Sequence, residues 1–287
     1  MARPLKKTKI YTFFSVVCTL ALVFDEIWAV LHDHTILVLT ADGEEVVTIQ
    51  PVDDENREFC TYNLSQVPTK EIFATGWRRD DTRNWRTRDE YILCITKHGA
   101  VLSKHPGNYD VIQGNSTHVF ALTSKTKAQP IKHVETFMVT GNALQPVKRF
   151  PLDEDYCDSN MLVSDSFICV CRNKVEPTMN QGSIIKYNFD GEKLAEYGRF
   201  SSTPSPADDV LSLPVVFAVD DASNVLLLDT VNHKLKVLDE AGDFHSCDIK
   251  ERNVNAAKAL WLPTGAFYVH YSKYNMRSGK LVMITEQ

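Results

Sequence analysis

The 287-residue sequence has no excess of positive charge: 31 Lys and Arg stand against 37 Asp and Glu, a formal net charge of -6. Nucleic acid or an anionic membrane therefore exerts no global attraction on it, and binding to either needs a local basic patch. Long apolar runs are missing too. The longest, Ile10 to Phe24, has 15 residues, short for a bilayer span. No segment keeps helical amphipathic spacing for ten residues or more, which excludes a helical core. GxSxG, HExxH, P-loop and GxGxxG stretches are absent, so the common hydrolase, metalloprotease, NTPase and dinucleotide signatures are unmatched. No C-x-x-C/H array is available to hold zinc. Seven cysteines at irregular spacing, several within apolar alternations such as "YILCI" and "FICVC", read as small buried hydrophobes of a reducing compartment.

What is present is a repeat. A glycine follows a long apolar strand in "TILVLTADGEEV" (Gly43), "YILCITKHGAVL" (Gly99), "TFMVTGNAL" (Gly141), "SIIKYNFDGEKL" (Gly191) and "KLKVLDEAGDF" (Gly242), at gaps of 56, 42, 50 and 51 residues. Two further apolar runs precede each of these strands, among them "TLALVF" then "EIWAVL", and "VVFAV" then "NVLLL". They are rich in Val, Ile, Phe and Tyr and punctuated by Asp, Asn, Gly and Pro, as short antiparallel strands are. One four-stranded unit of about 45 residues cannot bury either face alone, and its repetition is the signature of stacked propeller blades.

The expected fold is therefore all-β: a six-bladed β-propeller forming one domain over residues 1–287, with blades near 18–50, 58–104, 108–150, 156–198, 210–248 and 254–287. The sixth unit ends at its third strand, "KLVMITEQ", and an extra strand, "IYTFFSVV" (10–17), precedes the first. Pairing that N-terminal strand into the last blade closes the ring and leaves no open edge. The alternative is that residues 1–24 are a signal peptide, since a basic start leads into the apolar run and sequons stand at Asn63 and Asn115. The closing-strand reading implies a cytoplasmic chain, the alternative a secreted one.

The fifth unit, "LPVVFAVDDASNVLLLDTVNHKLKVLDEAGDF", resembles the NHL repeat of the C-terminal propellers of tripartite-motif proteins. Pro214, Val219, Asp220, Asn224, Val225, Asp229, Thr230, Asn232, His233, Leu235 and Gly242 match its pattern, with Lys234 where Arg is usual. The resemblance covers about 30 residues; the other units keep only the strand rhythm and the turn glycine. It implies a recognition module whose link to ubiquitin ligation would run through a RING domain that the chain lacks. The residues themselves favour a structural role for Asp229, Asn232, His233 and Lys234, with short polar side chains bonding the backbone of the turn between the second and third strands.

Binding is expected on loops between second and third strands. The largest, "GWRRDDTRNWRTRDEY" (Gly76 to Tyr91), holds Trp77, Arg78, Arg79, Arg83, Trp85, Arg86 and Arg88 beside three Asp and one Glu. Arg and Trp are the side chains richest in binding hot spots. Counterpart loops add Lys125, Lys127, Lys132, Arg172, Lys174, Lys273, Arg277 and Lys280, while connectors such as "PVDDENREF" and "PLDEDYCD" are acidic. Mixed charge favours a protein partner over a phosphate backbone. Single-stranded RNA, stacked on Trp77 and Trp85 and held by the neighbouring Arg and Lys, is the second reading. The expectation is a chain that is not an enzyme, with no cofactor or metal, no membrane contact and no evident small-molecule substrate. Asp25, Glu26, Asp165 and Asp220 fall in short turns rather than in a converging calcium site.

Overall fold

The computed structural model describes residues 5–13, 17–67, 71–80, 89–125, 130–152, 160–176, 179–198, 209–249, 254–261, 266–273 and 279–286. Among the described residues there is no helix. The strands form six four-stranded antiparallel sheets, the blades of a six-bladed β-propeller. The first strand in sequence, β1(Leu5–Phe13), belongs to the last sheet; the first sheet comprises β2(Val17–Val23), β3(Glu26–Leu31), β4(Ile36–Leu39) and β5(Glu45–Ile49). The second contains β6(Phe59–Gln66), β7(Ile72–Arg78), β8(Glu90–Ile95) and β9(Val101–Pro106), and the third β10(Tyr109–Gly114), β11(His118–Thr123), β12(His133–Thr140) and β13(Ala143–Pro151). The fourth contains β14(Asn160–Val163), β15(Ile168–Glu176), β16(Met179–Tyr187) and β17(Lys193–Tyr197), and the fifth β18(Pro214–Val219), β19(Val225–Asp229), β20(Lys234–Leu238) and β21(Phe244–Asp248). The last combines β22(Val254–Trp261), β23(Phe267–Lys273) and β24(Gly279–Glu286) with β1, in the order β1-β24-β23-β22.

The chain divides into two compact units, Val17–Glu154 and Met1–Val16 with Asp155–Gln287. In the first unit the middle strands are buried on both faces, as β4 shows with four consecutive buried residues. Alternation along β7 explains how: Ile72 and Ala74 pack with Trp28, Val30 and Ile36 of the first sheet, while Phe73 packs with Ile112, Val119 and Phe137 of the third. The inner strands are also joined by polar side chains. Asn63 Nδ2 donates to Thr19 Oγ1 at 3.2 Å, and the Gly114 amide donates to Ser65 Oγ at 3.1 Å. In the second unit β19 repeats the pattern, with Val225 and Leu227 facing the fourth sheet and Leu228 facing the sixth.

The repeat glycines close the turns between third and fourth strands. Gly43, Gly99, Gly141, Gly191 and Gly242 all take positive φ, between 58° and 93°, a conformation that residues with a Cβ adopt rarely. The N-terminal strand pairs with β24 from Leu5↔Glu286 to Phe13↔Gly279. It thus lies about five residues before the 10–17 segment expected, because the apolar run is divided between two sheets: Val17 opens β2. The basic start is part of the closing strand, with Lys6 and Lys7 exposed on an outer strand where charge is cheap.

His270, on β23, is completely buried, and any side chain at Gly279 would collide with its imidazole. Burial, aided by the charge of Lys258, pushes its pKa down from 6.5 to about 4. The unfolded chain therefore takes up this proton at higher pH than the folded one, so the contribution is complete above about 6.5 and lost as pH falls through 4. The lowered pKa of His105, also caused by burial, adds to the same window. Urea midpoints measured between pH 7.5 and 4 are expected to drop, with up to about 3 kcal/mol attributable to His270. The slope should flatten in His270→Gln, and parallel slopes would contradict the assignment.

Candidate functional site

In the first unit, the end of the second sheet gathers an aromatic group. Trp77 sits opposite Cys60 on one side and Glu90 on the other. The His34 ring meets it edge-on at 4.5 Å and the Tyr62 ring lies 5.6 Å away. His34 is held at φ 71° in the turn after β3. Its Nδ1 donates to the Thr61 carbonyl at 3.0 Å, while its own carbonyl accepts from Thr61 Oγ1 at 3.1 Å. Tyr62 donates its hydroxyl to Glu90 Oε2 at 3.0 Å. Burial, and then the charge of Glu90, hold the Tyr62 phenol well above its usual pKa, so it stays protonated as a donor.

The cations around this group are matched by carboxylates. Arg78 grips Asp80 through Nε at 3.0 Å and Nη2 at 2.5 Å. Arg79 Nε lies 3.3 Å from Glu58, and its Nη2 donates to the Asp33 carbonyl at 3.0 Å. Asp53, buried in the connector after β5, binds Arg57 at 2.7 Å and Lys104 at 3.0 Å and accepts the Glu55 and Arg57 amides. The Arg57 guanidinium, foremost among these, keeps the Asp53 carboxyl far below the usual carboxylate range despite its burial. Lys132 is itself buried against Asp110 at 2.5 Å. The exposed Arg78–Asp80 and Arg79–Glu58 pairs add little stability; their consequence is that the two arginines beside Trp77 are neutralised.

The expected loop is shorter than its sequence implied. Gly76, Trp77 and Arg78 belong to β7, and Glu90 and Tyr91 to β8. Trp77 is only 9% exposed, so its indole lies in the sheet rather than on a projecting loop. Arg78 and Arg79 stand beside it, whereas Arg83, Trp85, Arg86, Arg88 and Lys127 lie outside the described residues. Lys125 is exposed at the end of the third sheet's second strand. In the second unit Arg172 and Lys174 fall within β15, and Lys273 is the last residue of β23; Arg277 lies outside the described residues. Arg172 is paired with Glu196 at 3.1 Å, which also takes Ser183 Oγ at 2.9 Å and Lys193 at 2.6 Å.

The motif residues of the fifth sheet are structural in geometry. Asp229, fully buried, accepts the Ser212 and Asn232 amides at 3.2 and 3.4 Å and the Asn232 side chain at 2.9 Å. His233 adopts φ 54° to complete the turn, and Lys234 reaches Ser246 Oγ at 3.5 Å. Sequence reasoning overlooked Lys236, which is 1% exposed, 2.9 Å from Asp229 and bonded to the Val210 carbonyl at 2.8 Å. It also overlooked His34 and Tyr62. A lysine within alternating apolar residues was the available signal for the first; nothing local marks the other two.

No protein-family model matches the chain, and no curated protein matches it. Among solved structures it resembles a streptogramin B lyase (TM-score 0.57, 11% identity, covering 99% of this chain and 98% of that one). It also resembles an auxiliary nutrient binding protein from Bacteroides thetaiotaomicron VPI-5482 (TM-score 0.64, 12% identity, covering 99% and 77%). A glucose dehydrogenase gives TM-score 0.60 at 11% identity, covering 98% and 99%. At these identities the likeness is one of fold. Because a lyase and a dehydrogenase share that fold, the expectation that this chain is not an enzyme is overturned: the missing sequence signatures do not exclude catalysis on such a scaffold.

The buried Asp229–Lys236 pair generates a stability prediction. Asp229→Asn strands the lysine's charge and is expected to cost about 3–5 kcal/mol. Asp229→Asn with Lys236→Met should recover much of that loss in urea unfolding. A double variant no more stable than the single one would contradict the pairing.

Proposed function

We propose that the chain is a binding module on a β-propeller scaffold and that its partner is a protein, met at the end of the second sheet by Arg78, Arg79 and the segment they lead into. The observation that carries this reading is the matching of Arg78 and Arg79 with Asp80 and Glu58 around the Tyr62–Trp77–His34 group. A phosphate backbone selects for unopposed cations and counterion release. A protein surface of mixed sign is met by alternating charges beside a desolvated aromatic anchor. The nutrient binding protein among the structural neighbours supports a binding role for the scaffold. The tripartite-motif likeness remains confined to the fifth sheet, and nothing in the chain supports a ubiquitin-ligase role.

A reducing, cytoplasmic setting is part of the same proposal. It is supported by Cys60, Cys94 and Cys169, which are buried and in no disulfide. Both sequon asparagines are also engaged in the fold, Asn63 with Thr19 and Asn115 as the cap of its own turn. The test is a pair of binding measurements. Mixed single-stranded oligonucleotides, followed by anisotropy at low salt, are expected to show no saturable binding below about 10 μM. A photo-crosslinker at Arg79 is expected to capture a discrete protein that Val147, on the outer strand of the third sheet, does not. Tight, steeply salt-dependent RNA binding would overturn the proposal in favour of RNA.

A further inference from the structure

The first sheet is acidic and carries no cation. Residues 17–50 contain Asp25, Glu26, Asp33, Asp42, Glu44 and Glu45 and no Lys or Arg. Between Pro214 and Asp248 the fifth sheet is acidic too, with seven carboxylates, but it also holds Lys234 and Lys236. The same sheet ends on an unusually open strand. β5 is its outer member, and Val46 and Val47, 50% and 44% exposed, follow the exposed Asp42, Glu44 and Glu45.

Outer strands are ordinarily guarded against pairing by lysine or proline. β9 has Lys104 and Pro106, β13 has Pro146, Lys148 and Arg149, β17 has Lys193, and β1 has Lys6 and Lys7. β21 has neither, but Phe244 is half-buried and His245 is held by Asp239 at 2.8 Å. β5 alone combines an unguarded backbone edge with two adjacent exposed valines.

The end of the sheet that bears the β4–β5 turn also bears a strained one. Phe24 and Asp25, in the two-residue turn between β2 and β3, both take positive φ, 50° and 66°, where Asn-Gly is the favoured pair. Phe24 is 38% exposed, so core packing does not repay the strain of an aromatic residue in that conformation. His34, by contrast, lies in the β3–β4 turn at the other end, against Trp77. This surface is therefore separate from the one proposed above.

We infer that the open edge of β5 is a docking site for an extended, lysine- or arginine-bearing segment of a protein partner, which adds to the sheet as a fifth strand. Backbone hydrogen bonds to the edge supply register, the exposed valines supply apolar contact, and the carboxylates of the β4–β5 turn select the sign of the incoming chain. A second copy of this chain is disfavoured, because two acidic edges would face each other.

The experiment uses the intact chain and a labelled peptide of alternating Lys and Val, with the matched Glu and Val peptide as control. Saturable binding is expected for the basic peptide alone. It should weaken about tenfold in Glu44→Lys/Glu45→Lys and in Val46→Pro, and should fall as salt rises, while Lys148→Glu on β13 leaves it unchanged. Phe24→Asn/Asp25→Gly should melt higher than wild type and bind the peptide several-fold more weakly. Should a β5 variant fail to fold, hydrogen exchange on the wild type decides: the peptide should protect amides between Val46 and Thr48. No binding of the basic peptide, equal binding of the acidic one, indifference to the β5 variants, no added protection, or self-association abolished by Val46→Pro would each overturn the inference.

Discussion

Consecutive buried residues along the middle strands are the constraint on which the structure depends. A sheet with one wet face alternates apolar and polar side chains, whereas β4 and β19 are buried at every position. Such a sheet has to be covered on both sides, and the only cover available in an all-β chain is another sheet. Phe73 and its neighbours Ile72 and Ala74 show the arrangement at the scale of three residues: one side chain serves the next sheet and two serve the previous one. Each fully buried aromatic or aliphatic side chain contributes about 1.5–3 kcal/mol, so the stacking of sheets, not any single turn or ion pair, carries the stability.

Polar groups follow from that constraint. Stacked sheets leave connectors that must enter and leave buried ground, and the carboxylates of Asp53 and Asp229 receive the amides those connectors would otherwise strand. Each then requires a cation, supplied by Arg57 and Lys104 in one unit and by Lys236 in the other. Removal of one partner costs far more than the pair contributes, because the survivor is left charged in a poorly solvated place. The cations recruited to these connectors and to the end of the second sheet are not spare charge for a polyanion.

The strand rhythm was legible because it is local. Alternation, turn glycines and the Asp-Asn-His turn each act within a few residues, and the five positive-φ glycines stand where the repeat places them. The two-unit division, the offset of β1 and the burial of Trp77 were not legible, since each depends on contacts between residues far apart. Trp77 looked like a loop anchor in sequence because Arg and Asp follow it at once, yet strand pairing continues through Arg78. The partners of Arg79 lie 21 and 46 residues away, at Glu58 and Asp33, and no local pattern announces them. Charge composition, read sheet by sheet rather than over the whole chain, is the signal that was there to be used: it marks the first and fifth sheets as acidic, and the first as the one with no Lys or Arg.

Propeller sheets need a fourth strand each, and the last one obtains it from the opposite end of the chain, with β1 paired along its length to β24. Native-state hydrogen exchange of the amides from Leu5 to Phe13 tests this most directly. The alternate amides that face β24 are predicted to be protected to an extent comparable with the other outer strands. Exchange across Leu5–Phe13 at the rate of an unstructured peptide would contradict the architecture from which every other conclusion here descends.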